Sequence, residues 1–277
     1  MQEETVVKAP TTEALTPAQI TQKAEDLGVT KTEMSFGRSF ALSIMAGAFI
    51  AMGAMFFSLV VGDPALPFAI QRVLGGFLFC LGLILVVVAG AELFTGNTMI
   101  VMTAASKRIK WSAVWKNWIV VFFGNFLGAL VIVGLIFLSD MSAMNGGQVG
   151  QTMVSVAAGK MHADWLVLFA KGIMCNFLVC LGVWMAYASK TVADKILAVV
   201  FPITAFVACG FEHCVANMFF LPMGALLASC GIAPAGIDPA SVNMLGALYN
   251  WSATVPGNIV GGALMVGMMY WFIYRKK

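Results

Sequence analysis

Two apolar stretches of this chain are too long for one crossing of a bilayer, and each is broken near its middle by polar residues. About twenty apolar residues span the hydrocarbon layer. The stretch 73–104 carries GAELFTGN (90–97), and the stretch 196–229 carries GFEHCVAN (210–217). A helix that stops inside lipid strands backbone N–H and C=O groups there. Such a break survives only where protein buries it or where it lines a cavity. Glu92, Thr95, Asn97, Glu212, His213 and Asn217 are costly residues to place in hydrocarbon without a purpose.

Four further apolar stretches, 40–61, 117–138, 164–188 and 248–274, each fit a single crossing. The chain is thus read as an all-α polytopic membrane protein with six transmembrane helices, two of them broken. Its composition agrees: 60% of its 277 residues are hydrophobic and 10% charged, too little charge for the surface of a soluble domain this long. Residues 1–39 form a polar lead-in without a signal peptide. Within it, TPAQITQKAEDLGV (16–29) predicts a short surface helix that Pro17 starts and Gly28 stops, after a disordered beginning. Lys107, Arg108, Lys110, Lys116, Lys190, Lys195 and the closing Arg275, Lys276 and Lys277 fall on one side. Arg72 and Lys160 are read as loop charges on the other, among Asp63, Asp140, Asp164 and Asp238. This asymmetry predicts a multi-pass protein of the cell (inner) membrane with both termini cytoplasmic.

The six stretches form two similar sets. FALSIMAG (40–47) aligns with FAKGIMCN (169–176), GAELFTGN with GFEHCVAN, and NWIVVFFGNFLG (117–128) with NWSATVPGNIVG (250–261), at offsets of 129, 120 and 133. Three matches in one order indicate a repeat, 40–138 and 164–274. Each half has an odd number of crossings, so the halves insert with opposite topology. That is an inverted 3+3 repeat, an architecture of channels and transporters with the site near the midplane. Gly124, Gly128, Gly257 and Gly261 suit close packing of the third and sixth helices on the broken ones or on a neighbouring subunit. Glu92 and Glu212 are read as acceptors for backbone N–H groups freed at the breaks, and Asn97 and Asn217 as caps of the restarted helices. His213 has no counterpart, since Leu93 stands in its place. Phe79 and Leu83 share a helical face, as do Phe206 and His213 if the helix stays regular between them.

No metal-ligand spacing, no CxxC among the six cysteines and no cofactor motif is present. An enzyme or sensor built on His213 with Cys209 and Cys214 would need one, or a soluble catalytic domain. No cofactor and no nucleic acid is indicated; the apolar spans point to lipid and the polar breaks to a transported solute.

GAELFTGN, GFEHCVANMFFLP, KNW…GNFLGA and PGNIVGGALMVGMMYWFIY together resemble the formate/nitrite transporter family over residues 16–277. The resemblance implies an aquaporin-like protomer in a homopentamer that passes small monovalent anions or their acids. Formate is the leading substrate; nitrite and hydrosulfide are the alternatives. It also implies a central histidine at His213, a threonine opposite at Thr95, an anion-attracting lysine at Lys160 in a mouth loop and a pore-facing asparagine at Asn176. Apolar constrictions are implied at Phe79, Leu83, Phe94, Val179 and Phe206. A histidine suits such a site because its side chain titrates nearest neutrality. It could give the anion a proton at the constriction, or stay neutral while the anion is protonated in the vestibule.

Overall fold

A computed structural model describes residues 13–275. The disordered beginning expected for the first residues, and Lys276 and Lys277, lie outside the described residues. Helices account for all regular structure in the described part. They are α1 (Pro17–Glu33), α2 (Phe36–Val61), α3 (Phe68–Gly90), the short turns 94–105 called α4, α5 (Trp111–Leu138), α6 (Gln148–Met161), α7 (Trp165–Ala188), α8 (Val192–Ala208), α9 (Asn217–Ser229) and α10 (Met244–Tyr274). Five of them, α2, α3, α5, α7 and α10, are long and apolar enough to cross a membrane.

Both long stretches break where their sequences turn polar. α3 stops at Gly90 (φ +87°) and α8 just before Gly210 (φ +71°). That left-handed backbone suits glycine and strains other residues. The chain then runs extended through Ala91 before α4 begins. α5 packs on α2 and α10 on α7. Gly124 and Gly128 abut Ser43 and Ile44, while Gly257 and Gly261 abut Phe169 and Ile173, so the backbones meet with no room for a Cβ. The small-residue faces therefore join α5 and α10 to the unbroken helices α2 and α7, not to the broken ones.

Two further helices differ from the sequence reading. α6 occupies what reads as a loop. Its Val149, Met153, Val154, Ala157, Ala158 and Met161 form a buried stripe at helical spacing, and Gly224 of α9 lies against Ala157. The second is α1, which opens with a reciprocal Thr16–Gln19 capping box and continues through Gly28 to Glu33. Gly28 does not stop the helix; it lets α1 lie against Thr103 of α4.

α1 is tied down along its length. Lys23 Nζ donates to the Tyr187 carbonyl at 2.7 Å and Ser106 Oγ to Glu25 Oε1 at 2.6 Å. Arg108 pairs with Asp26 at 2.7 Å. The Arg108 guanidinium donates to Asp26 and holds its carboxyl below the usual range. That tie is present above the ordinary carboxylate pKa and is lost as pH falls through the lowered value. A Gly28→Val substitution places a branched side chain against Thr103, and α1 is expected to undock. Amide exchange over residues 17–33 should then accelerate at least tenfold, roughly 1.4 kcal/mol of lost protection, with the remaining helices unchanged. Wild-type exchange in the variant would show that the close approach is dispensable.

Candidate functional site

At each break one asparagine from a neighbouring helix holds the free backbone. Asn125 Oδ1 accepts from the Phe94 N–H at 2.9 Å, while its Nδ2 donates to the carbonyls of Ser43 (2.7 Å) and Glu92 (2.9 Å). Asn258 does the same in the other half. Its Oδ1 accepts from the Cys214 N–H at 2.8 Å, and its Nδ2 donates to the carbonyls of Gly172 and Glu212, both at 2.8 Å. Both side chains are fully buried. This is the backbone satisfaction that the sequence reading gives to Glu92, Glu212, Asn97 and Asn217.

Those four residues instead form two ionic clusters. Lys31 Nζ donates to Glu92 Oε1 (2.7 Å) and Asn97 Oδ1 (2.9 Å); Asn97 Nδ2 donates to Glu92 Oε2 (2.7 Å) and Asn117 Oδ1 (3.0 Å). In the other cluster Lys160 Nζ donates to Glu212 Oε1 (2.9 Å), and Asn217 Nδ2 donates to Glu212 Oε2 (2.7 Å) and Asn250 Oδ1 (2.8 Å). Asn117 and Asn250 reach back to the carbonyls of Lys31 and Lys160. Carboxylates buried this deeply need a cation and hydrogen bonds together, and each cluster supplies both. One difference between the clusters lies at the asparagine oxygen. Asn217 Oδ1 has no partner among the described residues, because Lys160 leans over the Phe220 ring at 5.5 Å where Lys31 bonds Asn97.

Lys160 is therefore not a loop residue facing solvent. It stands on α6 with 17% of its side chain exposed, its charge matched by Glu212. Arg72 is likewise not in a loop: on α3, it donates to the carbonyls of Ala208 (2.9 Å) and Val207 (2.8 Å), which end α8.

Two cavities approach the middle from opposite ends. The distal one, away from the termini, encloses about 280 Å³ and is lined by Phe79, Phe206, His213, Arg72, Lys160 and Lys171 among others. The proximal one encloses about 520 Å³, with Leu83, Leu93, Val183, Glu92, Lys31 and Lys195 in its wall. Between them Thr95 Oγ1 meets His213 Nε2 at 3.0 Å, both side chains buried. Phe206 stacks on the imidazole at 5.8 Å and meets Phe79 edge-on at 5.7 Å.

Besides Thr95, which lies buried between the cavities, three residues implied as pore-facing line neither of them. Asn176 is turned behind Thr95, donating to the carbonyls of Thr95 (3.1 Å) and Asn258 (2.7 Å) and to Thr98 Oγ1 (3.2 Å); it supports α4. Phe94 packs edge-on against Phe122 and Trp118 of α5, so its neighbour Leu93 faces the cavity instead. Val179 is buried, and Val183 one turn later reaches the proximal wall. Four cysteines are buried, Cys209 and Cys230 are exposed, and all six are free. No cluster of potential metal ligands occurs among the described residues.

The His213 ring has a fixed tautomer. Its Nδ1 accepts from the Ala216 N–H at 2.9 Å, so that nitrogen carries no proton. The neutral ring then bears its hydrogen on Nε2, facing Thr95. A second proton can bind only at Nδ1, and only by displacing the Ala216 N–H.

A family model described as formate/nitrite transporter matches residues 18–272. The formate channel FocA of Escherichia coli (strain K12) is 39% identical over 273 residues, 95% of each chain. The protein of the same name from Haemophilus influenzae is 38% identical over 271 residues, again 95% of each. Among solved structures, a pentameric formate channel with formate bound superposes with a TM-score of 0.78 at 37% identity, covering 87% of this chain and 98% of that one. An ion channel of the same family gives 0.80 at 27% identity, over 92% of this chain and 98% of the other.

The asparagine brackets yield a direct test. Asn125→Ala leaves the buried Phe94 N–H and Glu92 carbonyl unpaired, an expected loss of roughly 2–4 kcal/mol. Asn258→Ala should cost about the same. Thermal unfolding in detergent reads this as a clear drop in midpoint for both variants. Unchanged midpoints would mean that other groups hold the breaks.

Proposed function

The chain belongs to the formate/nitrite transporter family, and from that premise we propose that it is a membrane channel for formate. The relatives named as formate channels and the bound formate of a similar structure support the substrate. The protein is membrane-embedded, and its family transports solutes rather than transforming them.

The proposed architecture has six crossings, with α8 and α9 together forming the fifth around the break at 209–216. Residues 40–138 and 164–274 are inverted repeats of an aquaporin-like protomer in a homopentamer. The paired Asn125 and Asn258 brackets and the paired ionic clusters support the repeat. Lys31 and Lys160 stand at the same offset of 129 as FALSIMAG and FAKGIMCN, so α1 and α6 join the repeat as well. The lysines and arginine of 107–116 and Lys190 and Lys195 favour an inner-membrane protein with cytoplasmic termini. The proximal cavity is then the cytoplasmic one.

In this reading His213 and Thr95 receive the anion where the two cavities meet, between the apolar walls of Phe79 and Phe206 on one side and Leu83 on the other. A bare charge in such a passage costs several kcal/mol or more. Protonation of formate to formic acid removes most of that cost. The observation that carries the mechanism is the Ala216 N–H on His213 Nδ1. It sets the resting ring neutral, with Nε2–H directed at the pore. Proton donation then takes two steps: a proton from the vestibule displaces the Ala216 N–H, and the imidazolium passes its Nε2 proton to a formate oxygen. The ring is left with its hydrogen on Nδ1, and it regains the Ala216 N–H tie only after Nδ1 gives up that proton and Nε2 takes up another; the neutral acid meanwhile moves on and releases its proton on the far side.

His213→Asn keeps a hydrogen-bond donor but has no proton to relay near neutral pH. Formate should still cross proteoliposome membranes through the variant, with acid-coupled uptake reduced at least tenfold. Unchanged acid-coupled uptake would sink the relay. Nitrite, hydrosulfide and glycerol measured in the same vesicles test the substrate, and passage of glycerol without any anion would overturn the channel assignment.

A further inference from the structure

We propose that Lys171, beside Arg72, is the capture site for small anions at the distal mouth. The inference rests on the anion-channel reading above. It starts from the loss of Lys160 as a free charge. With Lys160 matched by Glu212, the cations left uncompensated in the distal wall are Arg72 and Lys171. Arg72 spends its hydrogen bonds on the carbonyls that end α8 and keeps its charge. The Lys171 amine has neither a hydrogen bond nor an ion pair with any described residue, and it is partly exposed to the cavity.

Its backbone is firmly placed. The Lys171 carbonyl accepts from the Glu212 N–H at 3.3 Å, and the adjacent Gly172 lies against Thr254 and Gly257 of α10. The amine is therefore a flexible cation on a rigid mount, in the same cavity wall as His213. Symmetry sets this residue apart. In the other half the Glu92 N–H bonds the Leu42 carbonyl at 3.2 Å, so Leu42 occupies the place of Lys171. The scaffold needs only a carbonyl there, and leucine serves it. The lysine side chain is surplus to that role, as His213 is where the other half has Leu93.

A cation in a cavity with apolar walls raises the local concentration of anions. It does so without touching the constriction, so it acts on capture and not on passage. The ligand class is a small monovalent anion, held loosely by an ammonium and a guanidinium before it meets the imidazole.

The test compares full-length wild type with Lys171→Gln, Lys171→Leu and Lys171→Arg in phosphatidylcholine vesicles. Formate flux is measured against concentration at low and high salt. Gln and Leu should raise the apparent KM roughly three- to tenfold at low salt, leave the maximal rate within about twofold, and flatten the salt dependence. Arg should restore the wild-type KM. A purely structural role would move the maximal rate in all three variants and leave the salt dependence intact. Wild-type KM and salt dependence in Lys171→Gln, with formate still crossing, would overturn the capture site alone. Failure of the wild type to pass formate would overturn the channel reading and this inference with it.

Discussion

The structure depends on two asparagine side chains that bridge broken backbone in an apolar interior. Without Asn125 and Asn258, each break would leave one N–H and one carbonyl unpaired in an apolar interior, those of Phe94 and Glu92 at the first and of Cys214 and Glu212 at the second. Each unpaired group costs several kcal/mol in that setting, more than a short irregular segment can recover from packing. One primary amide provides one acceptor and two donors: the acceptor and one donor satisfy the break, and the second donor reaches a carbonyl of the adjoining helix, Ser43 of α2 or Gly172 of α7. Its placement follows from the glycines around it. Gly124 and Gly128, like Gly257 and Gly261, bring α5 and α10 against α2 and α7, and the asparagine between them then reaches both strands of the break. Close helix packing and backbone satisfaction are one device here.

With the backbone held this way, the acidic residues are released for electrostatics. Glu92 and Glu212 each face a lysine and an asparagine, so the walls beside the constriction are largely self-neutralised. An anion entering the middle meets no net negative wall, and meets no fixed strong cation that would trap it. Conduction needs this balance, since a site that binds too tightly does not release. The cations that remain, Arg72 and Lys171 on one side and Lys23, Arg38 and Lys195 on the other, stand in the cavities, where they concentrate solute without holding it at the barrier.

The breaks and the isolation of His213 were legible because each is written locally, as polar residues inside an apolar run. What escaped depends on contacts distant in sequence. Asn125 and Asn258 carry no assignment in the sequence analysis, because spacing shows which face a residue lies on and not which backbone it meets. Lys31 sits in a polar lead-in, and only the docking of α1 carries it to Glu92, 61 residues away. Lys160 read as a loop charge because α6 has a thin apolar stripe and no capping sequence. Asn176 and Phe94 sit beside pore residues on the same elements, and a rotation of one position decides whether a side chain faces the cavity or the helix behind it. The glycine at 28 misled in the opposite way: a stop signal in propensity terms proved to be a contact surface.

The departures from symmetry concentrate on one side. Where the proposed halves agree, the residues hold backbone or cancel charge. Where they differ, Leu42 faces Lys171 and Leu93 faces His213, and in both pairs the distal half has the titratable or charged residue. A symmetric scaffold would present the solute with equal mouths and no reason to exchange a proton at one face rather than the other. In the proposed reading, placing both surplus groups in the distal wall makes that mouth the one that captures an anion and presents it to an imidazole. The proximal mouth offers apolar side chains at the matching positions. Because the imidazole gains its second proton only by giving up the Ala216 N–H, charge on the ring and the ring's own tether exclude each other. In the proposed relay, proton delivery is thereby confined to moments when the ring is loosened, and the tether re-forms only once Nδ1 has lost its proton and Nε2 carries the hydrogen again.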